Sequence, residues 1–476
     1  MALEPRLHVR PTFGRQEQFY FLKAGLLILA IYFFRREIYS LAGFFLLFLP
    51  LFFFCIIWFK SIQTGDRLLD IVKEHVTFIP IPYAEGGRRA FIPKVTLLLI
   101  LLNVLAFYFV RLASEEGARF IVHNFTFLPR HVSGWNIWLS PVSSMFLHAD
   151  AGHLWGNMIS FWAFGPAVEE RIGARKFVFL YFLTGIAGSL TAVVVFRVFM
   201  SETFHAIGAS GAIAGITGVF LVRCYFKKLV VPLPLFGLLN FKLRINSLLP
   251  LGLFFLLDVR SGFEQLAGSR TPVAYWVHVG SLVAGILFSA RMNLHRAAAE
   301  EKYTEAGLAA MDNQLTRRES VDSLLSALQL NPDNEAALMG LAREYAITRK
   351  PEGRDLFERA IRLKLRTAPE QAMAAYQEYR DSYTQMLEPE LQYRLAGIFY
   401  RNDDHEPAAR MLEAIILEPS ANPDTRQRSF FQLIVLLAEN NMLEAAHYRL
   451  GQFREQFPGS DLVQAAEDKF VEILKS

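Results

Sequence analysis

Cysteine is scarce. Cys55 and Cys224 are the only two in 476 residues, and both sit in apolar runs without Cys or His at ligand spacing. That argues against a disulfide framework and a zinc site, and neither a metal nor another cofactor is expected. Charge is scarce too. Charged residues make up 20% and the formal net charge is +4, which gives no reason to invoke nucleic acid. The start of the chain lacks a cleavable-signal pattern: residues 1–18 are polar, and no small-residue cleavage site follows the first apolar run. What fills the chain instead is apolar. Hydrophobic residues make up 53%, with 43 phenylalanines. This is the composition of a membrane protein with a polar soluble part.

Two apolar runs open the chain, FYFLKAGLLILAIYFF (19–34) and LAGFFLLFLPLFFFCIIWF (41–59), separated by Arg35-Arg36-Glu37. The first is short for a span of about 20 residues and the second carries Pro50. They read as two crossings or as a re-entrant hairpin. Six further segments follow: 95–112, 153–168, 177–200, approximately 207–226, 245–259 and approximately 273–290. Several are short or rich in glycine and polar groups, as expected for faces turned into a bundle. Lys and Arg mark the cytoplasmic ends: Lys60 to Lys94, Arg171 to Lys176, Lys227 to Arg244, and Arg291 with Arg296. Residues 113–144, 201–206 and 260–272 are then outside.

Beyond about residue 293 the apolar runs stop and amphipathic helical patterns take over. Segment 391–419 resembles 428–458, with Ala408-Ala409 set against Ala445-Ala446 and Pro419 against Pro458. The rhythm resembles tetratricopeptide helical hairpins of about 34 residues, though consensus Trp and Gly positions are mostly missing. The expected organisation is all-α: an N-terminal region with a hydrophobic hairpin (1–91), a six-helix membrane core (92–293) and a soluble helical repeat domain (294–476).

Polar groups inside a membrane are costly, and three clusters stand out. In FLHADAGHLWGNM (146–158), His153 and Asn157 share a helix face and His148 precedes them; a hydrogen-bonded structural cluster is the bland reading. In AIGASGAIAG (206–215), Gly208 permits a tight turn before Ser210. The alternative there is close packing, because Gly211 and Gly215 have GxxxG spacing. In YWVHVGSLVAG (275–285), His278 is a lone imidazole on a helix whose Ser281 and Gly285 form a small packing face. Together the clusters supply a nucleophile, Ser210, and a base, His278. They also supply oxyanion donors from Asn157, His153 and the Ser210 N–H. No intramembrane acid is well placed as a third member: Asp258 stands near the end of its run and Asp150 in a loop. The simplest scheme is a Ser–His dyad.

With FLHADAGHLWGNM, FGPAVEERIGARKFVFLYFLTGIAGS (164–189), GASGAIAG (208–215) and HVGSLVAG (278–285) in this order, residues 92–293 resemble the rhomboid intramembrane serine proteases. The resemblance implies a six-helix core with a water-filled cavity open to the outside. Ser210 would be nucleophile and His278 base, with His153 and Asn157 in the oxyanion hole. His148 and Gly208 would support them. Glu169 and Arg171, with Gly165 and Gly173, match a structural turn ending the second core helix. Two departures are visible. WNIWLSPVSS (135–144) has no Arg beside Trp135 or Trp138, and Ser281 stands where glycine is common.

The expected function is cleavage of membrane-spanning protein substrates within the lipid bilayer. The runner-up is an inactive rhomboid-like scaffold, and retention of Ser210 and His278 weighs against it. A small-molecule transporter lacks support from any inverted repeat. The expected location is a prokaryotic inner membrane, with the site open to the extracytoplasmic side. The repeat domain would be cytoplasmic and would bind a protein or peptide partner there.

Overall fold

The computed structural model describes residues 15–33, 55, 58–59, 67–77, 81–85, 91–129, 136–199, 205–236, 239–269, 271, 273–311 and 314–475. The chain forms two compact units, 1–298 and 299–476.

In the first unit, the elements before the six-helix core are α1 (Arg15–Phe33), α2 (Leu68–His75) and the short strands β1 (Val76–Thr77) and β2 (Tyr83–Ala84). The six apolar segments fold as α3 (Lys94–Leu112), α6 (Ala151–Ile172), α7 (Ala174–Phe199), α8 (Ser210–Arg223), α9 (Leu248–Leu266) and α10 (Tyr275–Arg291). The stretch 113–144 contains two short helices, α4 (Glu115–Phe125) and α5 (Asn136–Ser143). Trp135 lies outside the described residues, as does most of the second apolar run. The choice between two crossings and a re-entrant hairpin therefore falls there too. The first run is helical and lies against α9, where the Ile28 side chain fills the space left by Gly252.

Strands β3 (Lys228–Phe236) and β4 (Leu239–Asn246) fall between the fourth and fifth core segments, which the sequence reading treats as a plain loop. They form a hairpin completing a four-stranded antiparallel sheet of order β1-β4-β3-β2. Val230 and Val231 on β3, with Phe241 and Ile245 on β4, favour extended backbone. Pro232 and Pro234 break the strand signal in β3, and Lys242 and Arg244 in β4 make the stretch look like a charged connection between spans.

On α3, Thr96, Leu99, Asn103 and Phe107 are buried at helical spacing, while Leu98, Leu105, Phe109 and Leu112 are exposed. An apolar outer face of this kind suits lipid. By length and composition, two described helices are able to cross a membrane, α3 and α7.

Glycines set the core's closest approaches. A Cβ on Gly285 would collide with the Gly215 carbonyl oxygen, one on Gly218 with the Leu282 carbonyl oxygen, and one on Gly211 with Val277. Helices α8 and α10 are thus in backbone contact, as small-residue membrane seams allow. Ser281 is fully buried, and the absence of a side chain at Gly188 on α7 makes room for it.

Helix α11 (Leu294–Ala310) leads into the second unit. That unit continues with α12 (Arg317–Leu330), α13 (Glu335–Ile347), α14 (Glu352–Thr367), α15 (Pro369–Ser382), α16 (Pro389–Arg401), α17 (His405–Leu417), α18 (Pro423–Glu439), α19 (Leu443–Gln456) and α20 (Asp461–Lys475). Three of its turns are built alike. Arg349, Asp403 and Asn441 all have positive φ, at 53°, 60° and 59°. The next N–H in each case bonds five residues back: Lys350 to Tyr345, Asp404 to Phe399, and Met442 to Leu437. This is the Schellman way of closing a helix. Ala408 and Ala446 are both buried, each the fourth residue of its helix. The alignment of Ala408 with Ala445 therefore needs correcting by one residue: Ala445 is exposed and Ala446 is the counterpart.

Candidate active site

The site begins with a tight turn. Gly208 has φ +115°, and its N–H donates to the Ser144 carbonyl oxygen at 2.8 Å. A Cβ there would lie 2.8 Å from His153 Nε2 and 3.3 Å from Asn157 Nδ2. Only glycine meets both demands, the left-handed backbone and the close approach. Residues Phe127 and Ala206 exchange backbone hydrogen bonds of 3.2 and 2.8 Å, which pins the approach to the turn. Ser210 is then the first residue of α8, where backbone N–H groups have no partner inside the helix.

Helix α6 delivers the second group. Asp150 caps it, accepting from His153 N at 2.9 Å, so the polar end of the helix starts at a fixed residue. Asn157 Nδ2 donates to His148 Nε2 at 3.0 Å, and Ala209 N approaches the same nitrogen at 3.5 Å. His148, in the loop before α6, thus joins α6 to the Ser210 turn. Burial pushes its pKa down to about 4, with the neighbouring His153 adding to the effect. A neutral imidazole is the form that accepts both bonds. The His148 and His153 rings meet edge to face, 5.1 Å apart.

Helix α10 delivers the third. His278 Nε2 lies 2.8 Å from Ser210 Oγ, across the seam where Val277 packs on Gly211. The other ring nitrogen, Nδ1, lies 3.1 Å from Asp258 Oδ2. Both side chains are nearly buried, His278 11% and Asp258 9% exposed. The tautomer that satisfies both bonds carries its proton on Nδ1 and accepts from the serine hydroxyl at Nε2.

The expectation that no acid is well placed is therefore overturned. Asp258 stands near the end of its apolar run but not near the end of its helix. The apolar run stops at Val259, but α9 continues to Leu266 through Arg260, Glu264 and Gln265. One turn beyond Asp258, Gly262 accepts from Trp276 Nε1 at 3.1 Å, which holds α9 beside α10. The sequence signal for it is a lone carboxylate in an apolar run, which hydropathy alone ends seven residues before the helix does.

Four other candidate residues lie away from this cluster or in its framework. Glu169 is twelve residues past Asn157 on α6, roughly 18 Å along the helix. Its buried carboxylate accepts from Val95 N, Thr96 N and Thr96 Oγ1 at 2.9, 2.8 and 2.7 Å. It caps α3, whose own flanking residue, Pro93, offers no side-chain acceptor. Arg171 Nη1 donates to the Ala167 carbonyl oxygen at 3.0 Å, close to the helix end at Gly173. Ser281 and Gly285 belong to the close-packed seam. No cluster of three metal-ligating side chains occurs among the described residues.

Residues 135–293 match the family model described as Rhomboid domain. The rhomboid protease GluP of Bacillus subtilis is 24% identical over 244 residues, 51% of this chain and 43% of that protein. Rhomboid protein 1, mitochondrial, of Saccharomyces cerevisiae is 35% identical over 83 residues, 17% of this chain and 24% of its own. RHOMBOID-like protein 6, mitochondrial, of Arabidopsis thaliana is 29% identical over 130 residues, 27% and 40% respectively. The chain spans less than half the length of these curated relatives. The comparisons support the rhomboid family, and with the apolar helices they support an integral membrane protein.

Proposed function

We propose that this chain is an intramembrane serine endopeptidase that cuts membrane-spanning segments of other proteins. The observation that carries the reading is the hydrogen-bonded chain Ser210–His278–Asp258, with links of 2.8 and 3.1 Å. Ser210 Oγ attacks the scissile carbonyl carbon while its proton passes to His278 Nε2. Asp258 holds the Nδ1–H and stabilises the imidazolium that forms. The oxyanion is met by the Ser210 N–H, the second N–H of the Asn157 amide and His153. His278 then protonates the departing amine, and a water activated by the same imidazole hydrolyses the acyl-enzyme.

Substrate helices bury their carbonyls in their own hydrogen bonds. Segments with helix-breaking and small residues near the cut are thus the expected substrates. The site opens to the extracytoplasmic side of a prokaryotic inner membrane, and the tail, a tetratricopeptide-like repeat, lies in the cytoplasm. The positive-inside pattern and the three matching turns support these assignments.

Co-expression with a single-span model substrate tests the reading. Ser210→Ala and His278→Ala should abolish cleavage while the protein still inserts. Equal cleavage by Ser210→Ala would overturn the mechanism, and a parent that binds the substrate without cutting it would mark a scaffold. Asp258→Asn separates a triad from a dyad: a loss of about 10²-fold or more in kcat is expected. A change within about twofold, small against that scale, would leave the dyad.

A further inference from the structure

In the second unit, α14, α16 and α18 line a groove of about 770 Å³. Four arginines border it, Arg362, Arg366, Arg394 and Arg401, against one carboxylate, Glu390. Leu365, Ile398 and Phe431 line it as well.

The arginines are unequally engaged. Arg362 is held by Glu358 and Glu388 at 3.2 and 3.0 Å. Arg394 reaches Glu390 only at 3.7 Å, and that carboxylate already accepts from Arg428 and Thr425. Arg366 and Arg401 are exposed and make no ion pair among the described residues. Each lies in the last turn of its helix, where the dipole attracts a cation. That accounts for a positive charge at each end. It does not account for two uncompensated guanidinium groups bordering one concavity that also has an apolar lining.

We infer that this groove binds an extended acidic peptide segment of a partner protein. Side chains of an extended peptide alternate between two faces. Its carboxylates would pair with Arg366 and Arg401, and Arg–carboxylate pairing is the strong, geometrically specific kind. The intervening apolar side chains would rest on Leu365, Ile398 and Phe431. Gly397 keeps the lining low: a Cβ there would have only Gln432 Nε2 within reach, at 3.7 Å. The groove lies wholly in the second unit, so this inference stands apart from proteolysis.

The test is fluorescence anisotropy on the full-length protein in neutral-detergent micelles. The probe is a short fluorescein-labelled peptide alternating Glu and Leu, compared with one carrying Gln for Glu. The Glu peptide should bind saturably and weaken with salt. The Arg366→Gln/Arg401→Gln double variant should bind about tenfold more weakly. Gly397→Leu, which fills the groove and keeps both arginines, should also bind about tenfold more weakly, and it decides the matter if the double variant loses helicity. Equal binding of the Gln peptide would overturn the inference. So would unchanged binding by both variants. A single-stranded oligonucleotide competing as well as the Glu peptide would show a site that reads charge alone, and would also overturn it.

Discussion

Helices α8 and α10 touch where Gly215 faces Gly285, with no side chain between the backbones. In the second unit, neighbouring helices touch over alanine and large side chains: Ala408 and Ala446 are buried, and the Phe430 and Phe453 rings stack at 5.0 Å. The solvent explains the contrast. In lipid, burying a leucine against a leucine brings little, so helices gain by close backbone approach and interhelical hydrogen bonds. In water, a buried Phe or Leu contributes about 1.5–3 kcal/mol, and volume is worth having. The glycine seam has a second effect. It brings His278 within hydrogen-bond reach of Ser210, so packing and chemistry share one device in the first unit and are separable in the second.

Placing a side chain at each kind of glycine breaks or keeps that comparison, and the largest effect is expected here. Gly285→Leu should force α8 from α10, abolish substrate cleavage and cost more than about 3 kcal/mol, at or above the top of the overpacking range. Gly397→Leu, in the second unit, should leave cleavage and thermal stability nearly unchanged, because its Cβ meets only Gln432. Cleavage assays and thermal melts in micelles read both. An active, stable Gly285→Leu protein would remove the seam from the mechanism.

Next in size is the reverse substitution in the tail. Ala446→Leu inserts volume into a filled core and should destabilise the second unit by about 1–3 kcal/mol. Ala445→Leu should cost almost nothing, since Ala445 is exposed. Proteolytic susceptibility of the tail distinguishes the two. Equal effects would restore the one-residue-earlier alignment.

Much of this was legible in the sequence. All six core segments are helices in the structure, because apolar length in a membrane chain leaves few alternatives. The cluster of Ser210, His278, Asn157, His153 and His148 was legible as residue types, since polar groups among apolar ones are conspicuous. Two things were not. Asp258 was misjudged because hydropathy marks where lipid-facing residues stop, whereas helix α9 runs on to Leu266 in polar sequence. Of the sheet, the β3–β4 hairpin pairs residues at most 18 apart and is a local feature masked by Pro232 and Pro234, whereas its pairing with β1 and β2 joins residues more than 140 apart, which no local pattern records. Contacts between segments, not the segments themselves, were hidden.

A smaller effect separates the units by pH. His148 has a pKa of about 4 in the folded chain against 6.5 for an unperturbed histidine. The unfolded chain then binds more protons between these values, so stability contributed by neutral His148 is complete above pH 6.5 and is lost as pH falls toward about 4. Stability of the first unit should decline over that window, and His148→Gln should flatten the decline. If the variant's pH profile matches the parent's, the link from His148 to Asn157 and Ala209 does not carry the dependence.

The smallest effect concerns charge on the tail surface. Arg343 makes two hydrogen bonds to the Glu378 carboxylate, at 2.7 and 2.8 Å, and both side chains are exposed, at 46% and 40%. Fork geometry favours the pair, but water and salt screen it, and two long side chains lose freedom to hold it. Arg343→Gln should therefore cost no more than about 0.5 kcal/mol, less still in high salt. A double-mutant cycle with Glu378→Gln on the full-length protein measures it. A coupling well above about 1 kcal/mol would mean that the tail draws on ion pairs as the core draws on glycine. The contrast between the units would then be one of two specific devices, instead of one device against bulk apolar burial.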